Sequence, residues 1–222
     1  MKALSRWLLR WIAQGAANTL VAALGFVSLA GMGQDSVRAG RAAVYESLAF
    51  GVPLDEPVPS DGLPDDVRQA LRRFTARARR FVTRIPEPAG NEAREVWGER
   101  TGIERVVFSL FETSSVSGEA EAFVQALPFY YEAEGDMSIV LAVPDAADGY
   151  LETHPQSVAR DYARFFSGHR RACGVTGSEL SLTAEGRRQL GQARTALRLA
   201  AQSRHPLIRL VAQHELTNGC AR

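Results

Sequence analysis

The sequence lacks a strong charge of either sign, because 26 Lys and Arg residues face 25 Asp and Glu residues and leave a formal net charge of +1. The chain therefore has no general electrostatic attraction to nucleic acid or to an acidic surface. Its aromatic residues also do not alternate with exposed arginines, as a platform for stacked bases requires. We predict no nucleic-acid partner.

Catalytic signatures are absent as well. The chain has no Gly-x-Ser-x-Gly turn, no phosphate-binding glycine loop, no His-Glu-x-x-His helix and no haem-attachment cysteine pair. Motifs therefore assign no reaction, and we predict no catalytic residue, no cofactor and no bound metal. What the 222 residues do provide is 45% hydrophobic content, which is enough to bury a core in one domain.

The N-terminus has the layout of an export signal. An uncharged run spans residues 11–34 and follows three basic residues, Lys2, Arg6 and Arg10. The small residues Ser28 and Ala30 permit cleavage near Gly31, and an uncleaved run is long enough to cross a bilayer of about 30 Å. We predict that residues 1–30 are a signal peptide or an inner-membrane anchor, with membrane contact through residues 11–34. The rest of the chain then lies in the periplasm or elsewhere outside the cytoplasm.

An alternative interpretation treats the same run as the buried first helix of a cytosolic helical adaptor.

Under either interpretation the remaining sequence predicts an all-α fold. Residues 31–66 contain a short helix, DSVRAGRAAVYESLAF, and then a proline-rich linker that cannot continue it. Residues 67–222 are predicted to form one compact helical domain in which helices pack as hairpins.

The clearest helix is predicted between Val67 and Ile85, where apolar residues recur at intervals of four and three and Pro86 follows. The spacing of Thr101 and Glu104 is that of a capping box and predicts that another helix starts there. The short apolar stretch MSIVLAV, residues 137–143, is the one candidate strand, and it has no partner.

Charge is distributed unevenly along these predicted helices. Residues 67–85 are rich in arginine, whereas residues 106–159 contain many acidic residues and no Lys or Arg. One interpretation is that the basic helices neutralise the acidic segment within the fold. The other is that the Arg-rich helix grips phosphate, lipid headgroups or an acidic protein.

The segment YLETHPQSVARDYARFFSGH, residues 150–169, places an aromatic-Leu pair before a Pro-x-Ser turn and a helix with small residues. It resembles the helical-hairpin unit of tetratricopeptide-like proteins from the bacterial periplasm. The matching positions are Tyr150, Leu151, Pro155, Ser157, Ala163, Phe165 and Gly168. No second copy follows at a fixed period, although a stacked array needs about three units. The resemblance implies close helix packing and protein–protein scaffolding without catalysis.

Two histidines and two cysteines form the most reactive set in the chain. His169 and Cys173 are four residues apart and share a helix face, and the tail carries His214 and Cys220. These four residues form one hypothetical zinc site, although a Cys-x-x-Cys knuckle is missing. A catalytic Cys173 with His169 as its base is a second hypothesis.

In an exported protein two cysteines most simply pair with each other. We therefore predict a Cys173–Cys220 disulfide that ties the C-terminal helix to the body and leaves His169 at a surface or in a groove. The enclosed loop of nearly fifty residues corresponds to about 4 kcal/mol of stabilisation in the chain-entropy model.

A further group of residues has the composition of a binding site. Two tyrosines stand beside acidic residues and can cradle a cationic or sugar ligand: Tyr130, Tyr131, Glu132, Glu134 and Asp136. We predict Tyr130, Tyr131, Glu132 and His169 as binding residues. The sequence thus predicts an exported or membrane-anchored helical binding or structural module with a protein partner. The alternative is an enzyme with acids from Glu132, Glu134 or Asp136 and His169 as its base.

Overall fold

A computed structural model of the chain describes residues 37–54, 58, 60–129, 137–176 and 178–220. Within these ranges the regular structure is helical and there is no strand, so the all-α prediction is confirmed. The helices are α1 (residues 37–50), α2 (Asp65–Ala78), α3 (Asn91–Leu110), α4 (Val116–Ala126), α5 (Met137–Thr153), α6 (Arg160–Thr176), α7 (Ala184–Ala200) and α8 (Pro206–Asn218). A short 3-10 helix, Glu179–Leu182, lies between α6 and α7.

Helix α6 is the centre of the fold, because α5, α7 and α8 all pack against it. Its aromatic residues Tyr162, Phe165 and Phe166 are fully buried. The predicted helix before the proline-rich segment joins the same core through Leu48, whose carbonyl accepts a hydrogen bond of 2.8 Å from the Tyr162 hydroxyl. Residues 37–66 and residues 67–220 thus share one hydrophobic core in the described part of the chain.

The predicted signal peptide or anchor, residues 1–30, lies outside the described residues. Among the residues that are described, no helix combines the length and the apolar character needed to cross a bilayer.

The predicted helix from Val67 to Ile85 is too long, because α2 ends at Ala78. Ile85 precedes a proline, a position that disfavours helical backbone, and the β-branched Val82 and Thr83 favour extended backbone. The connection from α2 to α3 is instead held by side chains of α3. Trp97 donates a hydrogen bond of 3.0 Å to the carbonyl of Ile85.

The predicted helix start at Thr101 is also wrong, because α3 begins ten residues earlier, at Asn91. Glu104 does not cap a helix; it is buried and accepts a hydrogen bond of 2.7 Å from the Thr83 hydroxyl. Burial raises the pKa of Glu104 above its ordinary value even though this hydrogen bond lowers it. The spacing of Thr101 and Glu104 therefore does not indicate a cap, because Glu104 makes a tertiary contact with Thr83.

The candidate strand MSIVLAV is wrong as well, since residues 137–143 form the first half of α5. A short apolar run fits a buried helix as well as a buried strand, and the described part of the chain has no strand to pair with it. Pro144 lies inside this helix, and its carbonyl accepts a hydrogen bond of 3.4 Å from the Ser167 hydroxyl of α6.

The predicted hairpin at residues 150–169 is present as two packed helices. Helix α5 ends at Thr153, a turn follows, and α6 begins at Arg160. Gly168 lies directly against α7, where a Cβ atom would stand 2.8 Å from Leu197 Cγ and 3.0 Å from the Ala193 carbonyl oxygen. The small residue therefore permits the close approach of α6 and α7.

Candidate functional site

The disulfide prediction fits the arrangement of the C-terminal tail. Cys173 in α6 and Cys220, which follows α8, lie at bonding distance with their Cα atoms 5.3 Å apart. Gly219 adopts a φ of 75°, which turns the chain out of α8 and directs Cys220 towards α6. The tail is thereby connected to the central helix.

A buried polar cluster lies next to this cysteine pair. The Nδ1 atom of His169 is 2.9 Å from Oε2 of Glu215, and the two side chains are 0% and 1% exposed. The hydroxyl of Tyr45 donates to the same carboxylate oxygen at 3.2 Å and lies 3.1 Å from Nδ1. The cluster connects α1, α6 and α8 through polar contacts within the core.

The contacts of Glu215 assign the tautomer of His169. A carboxylate only accepts hydrogen bonds, so the neutral imidazole carries its proton on Nδ1 and its lone pair on Nε2. The second oxygen of Glu215, Oε1, is buried and has no hydrogen-bond partner among the described residues. The carboxylate therefore has acceptor capacity left in a place that water does not reach.

The expectation that a disulfide leaves His169 at a surface or in a groove is wrong. Helix α1 covers the imidazole, and aromatic rings surround it: Phe50 at 5.0 Å, Tyr45 at 5.6 Å and Phe165 at 5.8 Å between ring centroids. His169 is closed to solvent. Its role as a ligand-binding residue, or as the base of the alternative enzyme, stays a prediction.

Three of the four residues in the zinc hypothesis converge in the structure. Ligand atoms of His169, Cys173 and Cys220 all lie within 4.8 Å of one another. His214 is not part of this group, because its ring packs on Tyr45 at 5.3 Å and its Nδ1 lies 3.1 Å from the Asn218 amide nitrogen. Burial lowers the pKa of His214, and the nearby charge of Arg41 lowers it further.

A groove of about 470 Å³ opens on another face, between α5, α6 and α7. Its apolar lining includes Leu151, Ala196 and Leu199, and Leu199 keeps 41% of its surface exposed. Charged side chains stand around this lining: Asp148, Arg164 and Arg188. Both arginines already pair within their own helices, Arg164 with Asp161 at 3.4 Å and Arg188 with Glu185 at 2.6 Å.

Helix α7 also carries arginines beside the residues that line the groove. Arg187, Arg194 and Arg198 follow each other at intervals of seven and four, so they form one stripe on the helix. All three are exposed, and none of them pairs with a carboxylate in the described part of the chain. The stripe therefore leaves three guanidinium groups available to an acidic partner.

The arginines of helix α2 form no ion pair with the acidic segment, residues 106–159, among the described residues. Among the described residues, the arginine of α2 that forms an ion pair is Arg68, with Asp65 of the same helix, and Arg77 instead binds the carbonyls of Phe108 and Phe111 at the end of α3. Acidic residues of this segment instead form ion pairs with an arginine of α6. There the buried Arg171 reaches Asp145 at 2.9 Å and Asp148 at 2.6 Å.

Sequence reasoning missed the carboxylate that holds the hairpin turn. Oε2 of Glu119 in α4 accepts hydrogen bonds of 2.8 Å from the Ser157 hydroxyl and the Val158 amide, and Oε1 accepts one of 2.8 Å from Ser115. Burial by itself raises the pKa of Glu119, but these three hydrogen bonds together lower it below its ordinary value. No local spacing pairs residues 38 positions apart.

The predicted tyrosine and acidic group lies outside the described residues, and so its binding role stays a prediction: Tyr130, Tyr131, Glu132, Glu134 and Asp136. Comparisons with known proteins add no assignment. No protein-family model, curated protein or solved structure matches the chain. The resemblance of residues 150–169 to a tetratricopeptide-like unit also stays a prediction.

Proposed function

We propose that this chain is an exported or membrane-anchored helical module that binds a protein partner in the groove between α5, α6 and α7. The groove is the observation that carries this proposal. Its lining leaves Leu199 41% exposed, on a face where α5 and α7 both pack against α6. A preformed apolar groove binds an amphipathic helix without a large cost of reorganisation.

The charge beside the groove indicates the chemistry of the partner. The arginine stripe of α7 favours a segment whose apolar residues are flanked by Asp or Glu, whereas Arg188 already pairs with Glu185 at 2.6 Å. Guanidinium groups bind carboxylates through paired hydrogen bonds, which add specificity to the apolar contact. The partner segment is therefore an acidic amphipathic helix.

Two features support a location outside the cytoplasm. The N-terminal run has the charge order of an export signal, and the cysteines lie at disulfide distance. Disulfides persist in oxidising compartments and are rare in the cytosol. A body locked by such a bond suits a binding module that works there.

Binding of a fluorescent synthetic peptide to the oxidised full chain tests this function. The peptide is a helix with leucines on one face and glutamates beside them, and a scrambled peptide of the same composition serves as its control. We expect saturable binding of the ordered peptide only. Leu199→Asp should weaken that binding about tenfold or more, since burial of a leucine contributes about 1.5–3 kcal/mol.

Two matched variants show whether the groove is the site. Leu182→Asp alters another exposed leucine, on the 3-10 helix, and should leave binding unchanged. Arg194→Glu on α7 should weaken binding and reduce its salt dependence, whereas Arg72→Glu on α2 should not. No saturable binding, or equal losses in Leu199→Asp and Leu182→Asp, would contradict the proposal.

A further inference from the structure

We infer that His169, Cys173 and Cys220 form a zinc-binding site when the cysteine pair is reduced. The three residues offer one imidazole nitrogen and two sulfur atoms, all within 4.8 Å of one another. Imidazole and thiolate are the ligands that Zn²⁺ prefers, and three protein ligands leave a fourth position for water. The inference concerns the reduced chain and does not rest on the proposed function.

The cysteine side chains must rotate to accept the ion. Sγ of Cys173 lies 3.4 Å from Nδ1 and 3.8 Å from Nε2 of His169. A thiolate and an Nε2 atom on one tetrahedral zinc are about 3.6 Å apart with Nδ1 on the far side, so the Cys173 side chain must rotate towards Nε2 after reduction. The two sulfurs need to separate to about 3.8 Å. Cys220 lies two residues beyond the end of α8, where the chain has left the helix.

The surroundings of His169 match those of a metal ligand. Glu215 accepts the Nδ1 proton at 2.9 Å, which leaves the Nε2 lone pair for the ion. A carboxylate on the far nitrogen of a zinc-bound histidine orients the ring and raises its basicity. Two thiolates also neutralise the charge of Zn²⁺, which favours the ion in a mostly buried place.

The change from disulfide to metal site consumes two electrons and then releases two protons from the thiols. A dithiol reductant supplies two electrons to the Cys173–Cys220 bond, becomes a disulfide itself and leaves two cysteine thiols. Zinc then binds both sulfurs and displaces their two protons, while neutral His169 binds without losing a proton. The two cysteines therefore form either the disulfide or, together with His169, the metal site, but not both.

Cobalt titration of the full chain tests this inference. After reduction with a phosphine, the chain should bind one Co²⁺ and show thiolate-to-cobalt charge-transfer absorption, and Zn²⁺ should abolish that absorption by displacement. The oxidised chain should show neither effect. Glu215→Gln should weaken the affinity about 10- to 100-fold, as changes in such supporting residues do.

The variants separate this site from incidental binding. His169→Gln should remove the one-to-one binding, while His154→Gln, in the exposed turn before α6, should not change it. Cys220→Ser should lose about half of the charge-transfer intensity, because one thiolate of two is gone. This variant decides the question even if His169→Gln fails to fold. Absence of one-to-one binding in the reduced chain, or binding that survives Cys220→Ser at full intensity, would overturn the inference.

Discussion

His169 and Glu215 form a buried pair in which the imidazole Nδ1 lies 2.9 Å from the carboxylate oxygen Oε2. The pair joins the central helix α6 to α8 at the place where the cysteines connect the tail. Removing one partner takes away a buried hydrogen bond, and the Tyr45 hydroxyl remains beside the group that is left. The fold therefore depends on both residues being present together.

We expect Glu215→Ala to lower the free energy of unfolding by about 1–3 kcal/mol, the usual cost of removing the acceptor of a buried hydrogen bond. Urea denaturation of the oxidised protein measures this change. Glu152→Ala, at an exposed position on α5, is the matched control and should change stability by less than about 0.5 kcal/mol. A double variant with His169→Ala should cost less than the sum of the two single changes. Additive losses would show that the pair does not act as a unit.

The cysteine pair provides a second prediction. Cys173→Ser and Cys220→Ser should destabilise the oxidised protein equally, because either change breaks the same bond. The chain-entropy model gives an upper figure of about 4 kcal/mol for the separation of 47 residues. The double variant should then lose little more than either single variant in urea denaturation. A double loss near the sum of the single losses would contradict the bond.

A third prediction concerns the carboxylate that holds the hairpin turn. Glu119→Gln should lower stability by about 1.5–3 kcal/mol at neutral pH, because its hydrogen bonds to a charged acceptor are weakened. The pKa of Glu119 is lowered in the folded protein, so its contribution is present above 4.5 and lost as pH falls through the folded pKa. The difference between the wild type and Glu119→Gln should therefore shrink below pH 4.5.

The control for this measurement is Glu121→Gln, whose carboxylate accepts a hydrogen bond of 3.0 Å from Gln125 of the same helix. It should show a small effect at every pH. A Glu119→Gln difference that stays constant from neutral to acid pH would show that the carboxylate charge does not hold the turn.

Two glycines give a fourth prediction with opposite signs. Gly168→Ala should destabilise the protein by about 1–3 kcal/mol, since its Cβ would press on the Ala193 carbonyl and on Leu197. Gly149→Ala in α5 meets nothing within 4 Å and should stabilise the protein by about 0.4–1 kcal/mol. Thermal unfolding followed by circular dichroism measures both. If Gly168→Ala is also stabilising, α6 and α7 do not approach as closely as described.

Local patterns predicted the helical elements well where a single helix carries its own signals. The helix predicted in DSVRAGRAAVYESLAF, for example, is α1, residues 37–50, and it ends before the proline-rich segment. The errors came where tertiary contacts compete with local patterns. Glu104 accepts a hydrogen bond from Thr83, which is distant in sequence, and therefore does not cap a helix. The apolar residues 137–143 fit a strand equally well but form the first half of α5.

The candidate site was only partly predictable for the same reason. The cysteine pair follows from having two cysteines in an exported chain, which is a compositional argument. Burial of His169 depends on Tyr45, 124 residues away, and on Glu215, 46 residues away. The groove likewise depends on how three helices pack, and no periodicity within one helix defines it.

The state of the two cysteines in growing cells tests the account of an exported, bonded module most directly. Free thiols are blocked with an alkylating reagent at the moment of lysis in denaturant, and the full chain is then reduced, treated with a second reagent and measured by mass spectrometry. We predict that Cys173 and Cys220 carry only the second label. Both cysteines carrying the first label would show that the chain holds free thiols in the cell and would contradict the proposed location and bond.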